Sequence, residues 1–203
     1  MNTRGVLVEF IGTFIFLVVI GLVGGVMAPL AIGCMLMVLV YGGGHISGGH
    51  YNPAVTLGVF LRGKCPKVDV IPYMVAQVVA AILGGLLVNY LAGPHTPITV
   101  DVTKAMIVEF IFTYFLVNNV LNTATSKKNA GNSYYGLAIG FTVVVAAYAA
   151  GAISGGAFNP AVACGITVMG VSPVANIWIY FVPNFLAAIV AASVYKFVNP
   201  DEI

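Results

Sequence analysis

One twelve-residue segment occurs twice in this chain. GHISGGHYNPAV at 44–55 returns as GAISGGAFNPAV at 151–162, an offset of 107. Ala31-Ile32-Gly33 returns at the same offset as Ala138-Ile139-Gly140, and Tyr73 with Ala80-Ala81 as Tyr180 with Ala187-Ala188. Val8-Glu9-Phe10-Ile11 and Thr13 return as Val108-Glu109-Phe110-Ile111 and Thr113, at an offset of 100. The extra residues fall in one connection, Thr123 to Tyr134. A duplication of this kind implies two copies of one structural unit. They are repeat one at about 1–92 and repeat two at about 104–198, within a single domain spanning 1–203.

The solvent of each unit follows from its side chains. Sixty per cent of the residues are hydrophobic, 7% are charged, and mean hydropathy is +1.03. A water-facing surface needs roughly a quarter of its residues charged, so a lipid bilayer is the natural partner. Apolar stretches lie at 5–26, 28–44, 68–92, 104–122, 135–151 and 174–198. Each approaches the roughly 20 residues that a spanning helix needs. The first contains Glu9 and exceeds the roughly 7–15 residues of a signal core, so it is expected to be a retained span. Two further apolar segments, 53–61 and 160–169, are too short to cross. As helices they reach about 13–15 Å, half of a hydrocarbon core of about 30 Å.

The expected fold is an all-α membrane protein with six transmembrane helices and two re-entrant half-helices. Three spans per copy is an odd number, so the second copy enters the membrane inverted, a 3+3 repeat. With six crossings, Arg4, Arg62, Lys64, Lys67, Lys127, Lys128 and Lys196 fall on one side and only Lys104 on the other. The positive-inside rule places both termini in the cytoplasm. A net charge of +2 gives no reason to expect a nucleic-acid partner. Cys34, Cys65 and Cys164 are few and widely spaced, without a metal or disulfide pattern. No metal or cofactor is expected, and no nucleophile, base and orienting group converge as an enzyme would need.

The repeated motif carries the chemistry. Pro is favoured at the first position of a helix and Asn immediately before it, as N-cap. Asn52-Pro53-Ala54 and Asn159-Pro160-Ala161 therefore each read as the start of a half-helix. Inversion brings two helix N-termini, each worth about +0.5 charge, face to face at mid-membrane. If each Asn oxygen caps its own helix, each amide NH2 is left pointing outwards. The Ser47-Gly48-Gly49 and Ser154-Gly155-Gly156 stretches supply irregular backbone, tolerated at that depth only where it is buried or lines a watery path. A path lined by carbonyls, with two donors and a positive midplane, passes neutral polar molecules and opposes cations.

These residues resemble the aquaporin, or major intrinsic protein, family over essentially the whole chain, from about Arg4 to Val198. HISGGHYNPAVTLG and SGGAFNPAV match its two signatures, and Glu9 and Glu109 match its paired helix-one and helix-four glutamates. The resemblance implies a homotetramer with one pore per subunit, in a lipid bilayer. It also assigns a selectivity filter by distance from the two asparagines: Ile32, Ala147, Gly156 and Val162, with Tyr148 taking the place of Ala147 if the register slips by one. The family usually has Arg where this chain has Val162. An Ile/Ala/Gly/Val ring is expected to be wide and apolar, similar to some plant vacuolar members. Ala163, where glycerol facilitators have Asp, and Tyr180-Phe181 look more like the water-channel pattern. The expected function is passive conduction of water and small neutral solutes such as glycerol or urea. A strict water channel, an ion channel or coupled transporter, and a structural membrane protein are the alternatives.

Remaining polar residues fit supporting roles. Glu9 and Glu109 are the only acids deep within spans and are expected to accept hydrogen bonds from the irregular backbone before each motif. His45 and His50 flank Ser47-Gly48-Gly49 as pore-mouth candidates, able to titrate near 6.5 or simply to hydrogen-bond the loop. Cys164, near Asn159, is a candidate for thiol-reagent sensitivity, and Ser126-Lys127-Lys128 for a phosphorylated loop or a plain solvated one.

Overall fold

The computed structural model describes Met1 to Glu202; Ile203 alone lies outside the described residues. Eight α-helices make up the fold: α1 (Thr3–Leu22), α2 (Ala28–Ser47), α3 (Pro53–Leu61), α4 (Lys67–Ala92), α5 (Val102–Val120), α6 (Tyr135–Ser154), α7 (Pro160–Val168) and α8 (Trp178–Val198). Six of these segments are long and apolar enough to cross a membrane, α5 continuing through a π-helical turn to Thr125 and α8 preceded by a 3₁₀ turn. The short helices α3 and α7 hold nine residues each.

Two boundaries differ from the expected ones for the same reason. The second and fifth spans run to Ser47 and Ser154, three residues past the apolar stretches at 28–44 and 135–151. Glycines at 42–44 look like a break in sequence, yet the helix keeps its ladder through them. Gly43 is buried because the Tyr51 hydroxyl occupies the place of a Cβ there. Each helix then stops on a glycine in the left-handed region, Gly48 at φ 93° and Gly155 at φ 90°. A side chain with a Cβ is disfavoured in that conformation, which fixes where the chain leaves the helix.

Small residues set the packing. Gly33 of α2 and Gly140 of α6 are repeat equivalents, and a Cβ on either would sit 2.5 Å from the carbonyl oxygen of the other. The two copies therefore meet glycine on glycine, and close backbone approach is what holds helices together in lipid. A methyl group at this crossing would cost about 1–3 kcal/mol through overpacking. The same rule operates within the bundle. Leu17 of α1 fills the space over Gly165 of α7, and its equivalent Val117 of α5 fills the space over Gly58 of α3.

Helix directions place Arg4, Arg62, Lys64, Lys67, Lys127, Lys128 and Lys196 at one end of the bundle and Lys104 at the other. Arg62 is not a solvated flanking charge. It is 6% exposed, its Nη2 lies 3.0 Å from Glu202 Oε2, and its guanidinium stacks 4.7 Å from the centre of the Tyr195 ring. Glu202 also accepts from Ser126 Oγ at 2.6 Å, Lys127 N at 2.9 Å and Tyr195 Oη at 2.8 Å. Ser126 is thus a buried partner of this cluster rather than part of a solvated loop. The last turn ties α8 to the loop after α5 and to the end of α3.

Candidate functional site

The two half-helices begin as their sequence predicts. Asn52 is extended at φ −158° and its Oδ1 accepts from Ala54 N at 2.8 Å and Val55 N at 3.4 Å. Asn159 repeats this with Ala161 N at 2.9 Å and Val162 N at 3.4 Å. The amides do not simply point outwards. Asn52 Nδ2 donates to the Phe158 carbonyl at 2.9 Å, and Asn159 Nδ2 donates to the Tyr51 carbonyl at 2.8 Å. Each asparagine caps its own helix and ties the opposite copy. Tyr51 and Phe158 turn their carbonyls to this task by adopting φ 48° and 46°, a costly conformation for an aromatic residue.

The glutamates hold that backbone. Glu9 Oε1 accepts from Ser47 Oγ at 2.6 Å and His50 N at 2.9 Å; Oε2 accepts from Tyr51 N at 2.5 Å and Gln77 Nε2 at 2.8 Å. Glu109 does the same for the other copy, with Ser154 Oγ at 2.7 Å, Ala157 N at 3.0 Å and Phe158 N at 2.7 Å. Both side chains are fully buried. Donors that would otherwise be stranded in hydrocarbon are satisfied, and the strained peptide stays in place.

The lumen runs between these loops and the spans. Its enclosed central part has a volume of about 30 Å³, room for roughly two waters at about 10–15 Å³ each. The eighteen residues around it form nine repeat-equivalent pairs. Eight of the pairs match in chemistry, among them Ile32 with Ile139, Gly49 with Gly156, and Val55 with Val162. The ninth, His50 with Ala157, breaks the match in polarity. None of the eighteen is Asp, Glu, Lys or Arg. The carbonyl oxygens of Gly49, His50, Gly156 and Ala157 have no donor among the described residues, and these four residues border the lumen. The path has an apolar wall on one side and acceptors on the other.

Ile32, Gly156 and Val162 all border this cavity, which is narrow where the small side chains suggested width. Ala147 does not border it; α6 presents Ile139 and Val143 there, and Ala147 follows Val143 by one turn. Tyr148 is 51% exposed and its hydroxyl donates to the Val26 carbonyl at 3.0 Å. His50 is buried and sits where the cavity opens towards the basic end. Its Nδ1 lies 3.1 Å from Thr56 Oγ1, which donates to the Asn52 carbonyl and accepts from Gln77 Nε2. With that hydroxyl's hydrogen directed to the Asn52 carbonyl, His50 Nδ1 is the donor to Thr56 Oγ1. His45 is exposed and lines the wider mouth, where spaces of about 520 and 540 Å³ adjoin. Cys164 is buried in α7.

The family model for major intrinsic protein matches residues 1–195. The chain belongs to the major intrinsic protein family. It is a multi-pass integral membrane protein containing a passive channel, not an enzyme. Aquaporin NIP1-4 of Oryza sativa subsp. japonica is 31% identical over 210 residues, covering 95% of this chain and 76% of the relative. Aquaporin Z of Rhodopseudomonas palustris is 28% identical over 234 residues, covering 99% and 95%. In fold the chain is similar to the X-ray structure of the aquaglyceroporin from Plasmodium falciparum, with a TM-score of 0.84 at 20% identity over 100% of this chain and 99% of that one.

Three features of this major intrinsic protein were not legible in its sequence. The cross-copy bonds of Asn52 and Asn159 depend on the left-handed turn before each motif, which aromatic residues do not signal. Gln77 lies within an apolar run; its repeat equivalent Asn184 accepts from Thr113 Oγ1 at 2.8 Å, and a polar residue at that place in both copies is the one signal the sequence offers. The Arg62–Glu202 pair joins residues 140 apart, and no pattern links them.

Proposed function

We propose that the lumen conducts water and small neutral solutes of the size of glycerol or urea, and excludes protons and ions. The observation that carries this reading is the joint between the two half-helices. Two helix N-termini meet there, capped by asparagines whose amides donate across the joint. A positive midplane opposes cations and donors interrupt a chain of hydrogen-bonded waters. Uncharged walls and free carbonyl acceptors on either side support passage of neutral polar molecules. The relatives are named aquaporins.

Ile32, Gly156 and Val162, with Ala147 beyond Val143, act as the filter. Val162 in place of the family's usual arginine leaves it without a fixed cation. The basic end faces the cytoplasm, supported by seven of eight basic residues lying there. Four copies assemble with one lumen each, a reading that rests on the family. The small cavity volume favours one second reading, a strict water channel.

Vesicles containing the protein, mixed rapidly with sucrose, glycerol or urea, test both. All three gradients should shrink the vesicles faster than empty ones, and glycerol or urea should then refill them. Shrinkage without accelerated refilling assigns the strict water channel. Water permeability equal to empty vesicles, or a sodium or proton current, rejects the reading.

A further inference from the structure

A permissive filter and a narrow lumen need reconciling. The filter residues Ile32, Gly156 and Val162 offer one branched chain, one hydrogen and one small branched chain, yet the space they share is only about 30 Å³. Something else fills it. Of the eighteen bordering residues, four have rings: Phe16, His50, Tyr51 and Phe158. Two of these rings turn away. Tyr51 packs over Gly12 and Gly43 and donates to the Leu39 carbonyl at 3.0 Å. Phe158 packs against Phe112, ring centres 5.6 Å apart. Both border the lumen through their backbone. That leaves Phe16 and His50, whose repeat equivalents are the smaller Leu116 and Ala157.

The two rings lie in opposite halves. Phe16 is thirteen residues beyond Thr3 on α1, about 20 Å from the basic end at 1.5 Å per residue. It shares that half with Ile32, Gly156 and Val162. His50 precedes α3 at the basic end. Phe16 is also unable to retreat. Its neighbour Leu17 is seated over Gly165 of α7, and a Cβ at Gly84 of α4 would lie 2.9 Å from the Leu17 Cβ. α1 is thus held on the side away from the lumen, and Phe16 is 4% exposed.

We propose that Phe16 is a specificity-determining residue of the outer half-lumen, setting the size cut-off that the small filter residues leave open. The inference rests on the reading that solutes larger than water enter this lumen. α1 contributes none of the four filter positions, so Phe16 is a fifth. Its twin Leu116 marks how wide the same place is without a ring.

Reciprocal substitutions test it in vesicles, with water read from shrinkage and glycerol and urea from refilling. Phe16→Leu should raise the solute-to-water permeability ratio about fivefold, equivalent to ~1 kcal/mol of barrier at 1.36 kcal/mol per tenfold. Leu116→Phe should lower it by a similar factor. The double swap moves the ring to the other half and should return the ratio towards the wild-type value. Phe16→Met fills nearly the same volume with a flexible chain and should raise the ratio less than Phe16→Leu. The proposal is overturned if Phe16→Leu and Phe16→Met keep wild-type water flux and wild-type solute ratios. It is equally overturned if Val162→Arg changes the ratio while both swaps leave it unmoved. Wild-type water flux, read in the same vesicles, separates failure of conduction from failure of this assignment.

Discussion

Asn52 donates its side-chain amide to the carbonyl oxygen of Phe158 at 2.9 Å, joining residues 106 apart at the centre of the bundle. Its oxygen meanwhile caps α3. Asn52→Asp keeps an acceptor for the cap and removes the donor, leaving a carboxylate against a carbonyl. We expect a loss of about 1–3 kcal/mol, the cost of an unmet buried polar group, and reduced water flux. Asn159→Asp should match it within error because the bonds are equivalent. Thermal melting in detergent, followed by size exclusion, reads the first effect. Wild-type melting in both variants would count against a structural role for the cross-copy bonds.

Glu9 and Glu109 should not be equally costly to remove. Glu9 accepts four hydrogen bonds, one of them from Gln77, whereas three hydrogen bonds join Glu109 to Ser154, Ala157 and Phe158. Each stranded donor costs ~1–3 kcal/mol. Glu9→Ala should therefore give less folded protein than Glu109→Ala, and both far less than wild type. Fluorescence-detected chromatography of the expressed protein gives the order directly; a reversed order would contradict it.

Val162→Arg restores the cation that the family usually has at this place. In a cavity of about 30 Å³ an added guanidinium occupies space as well as charge. Glycerol and urea flux should fall several-fold while water flux falls little, because a single water needs only about 10–15 Å³. Equal losses of both would show a blocked lumen instead of a sharpened filter.

The Glu202 cluster predicts a pH dependence. The Ser126 hydroxyl foremost, with the N–H groups of Lys127 and Lys128 and the Tyr195 hydroxyl, holds the Glu202 carboxyl down to about 2 from an ordinary 4.5, against the effect of burial. A depressed folded-state value contributes stability above the ordinary value, and that contribution is lost as pH falls from about 4.5 towards 2. Glu202→Gln should melt below wild type at pH 7, and the gap should close on acidification through that window. A gap independent of pH would assign the effect to packing alone.

The six spans and two half-helices were readable because hydropathy and length suffice for membrane helices. The pairing of the copies was readable because repeated motifs name their own partners. What escaped were bonds made by backbone in unusual conformations and contacts between distant ends. Arg62 looked like any loop cation, since its partner Glu202 lies in a different part of the chain and in no pattern with it. Ala147 was placed by spacing alone, and spacing along α6 does not tell which turn meets the lumen. Phe16 sat in an apolar run where nothing distinguishes a side chain facing lipid from one facing the lumen.

The nine repeat-equivalent pairs around the lumen, eight of them alike in chemistry, mean that the molecule carries its own control. Every wall position exists twice, once near each entrance, in nearly the same surroundings but reversed along the axis. A substitution in one copy can be judged against the identical substitution in the other, within one protein and one membrane. Where the two agree, side-chain chemistry is responsible; where they differ, the side of entry is. His50 opposite Ala157 differs in polarity and Phe16 opposite Leu116 in size, so at these two pairs the entrances are least alike.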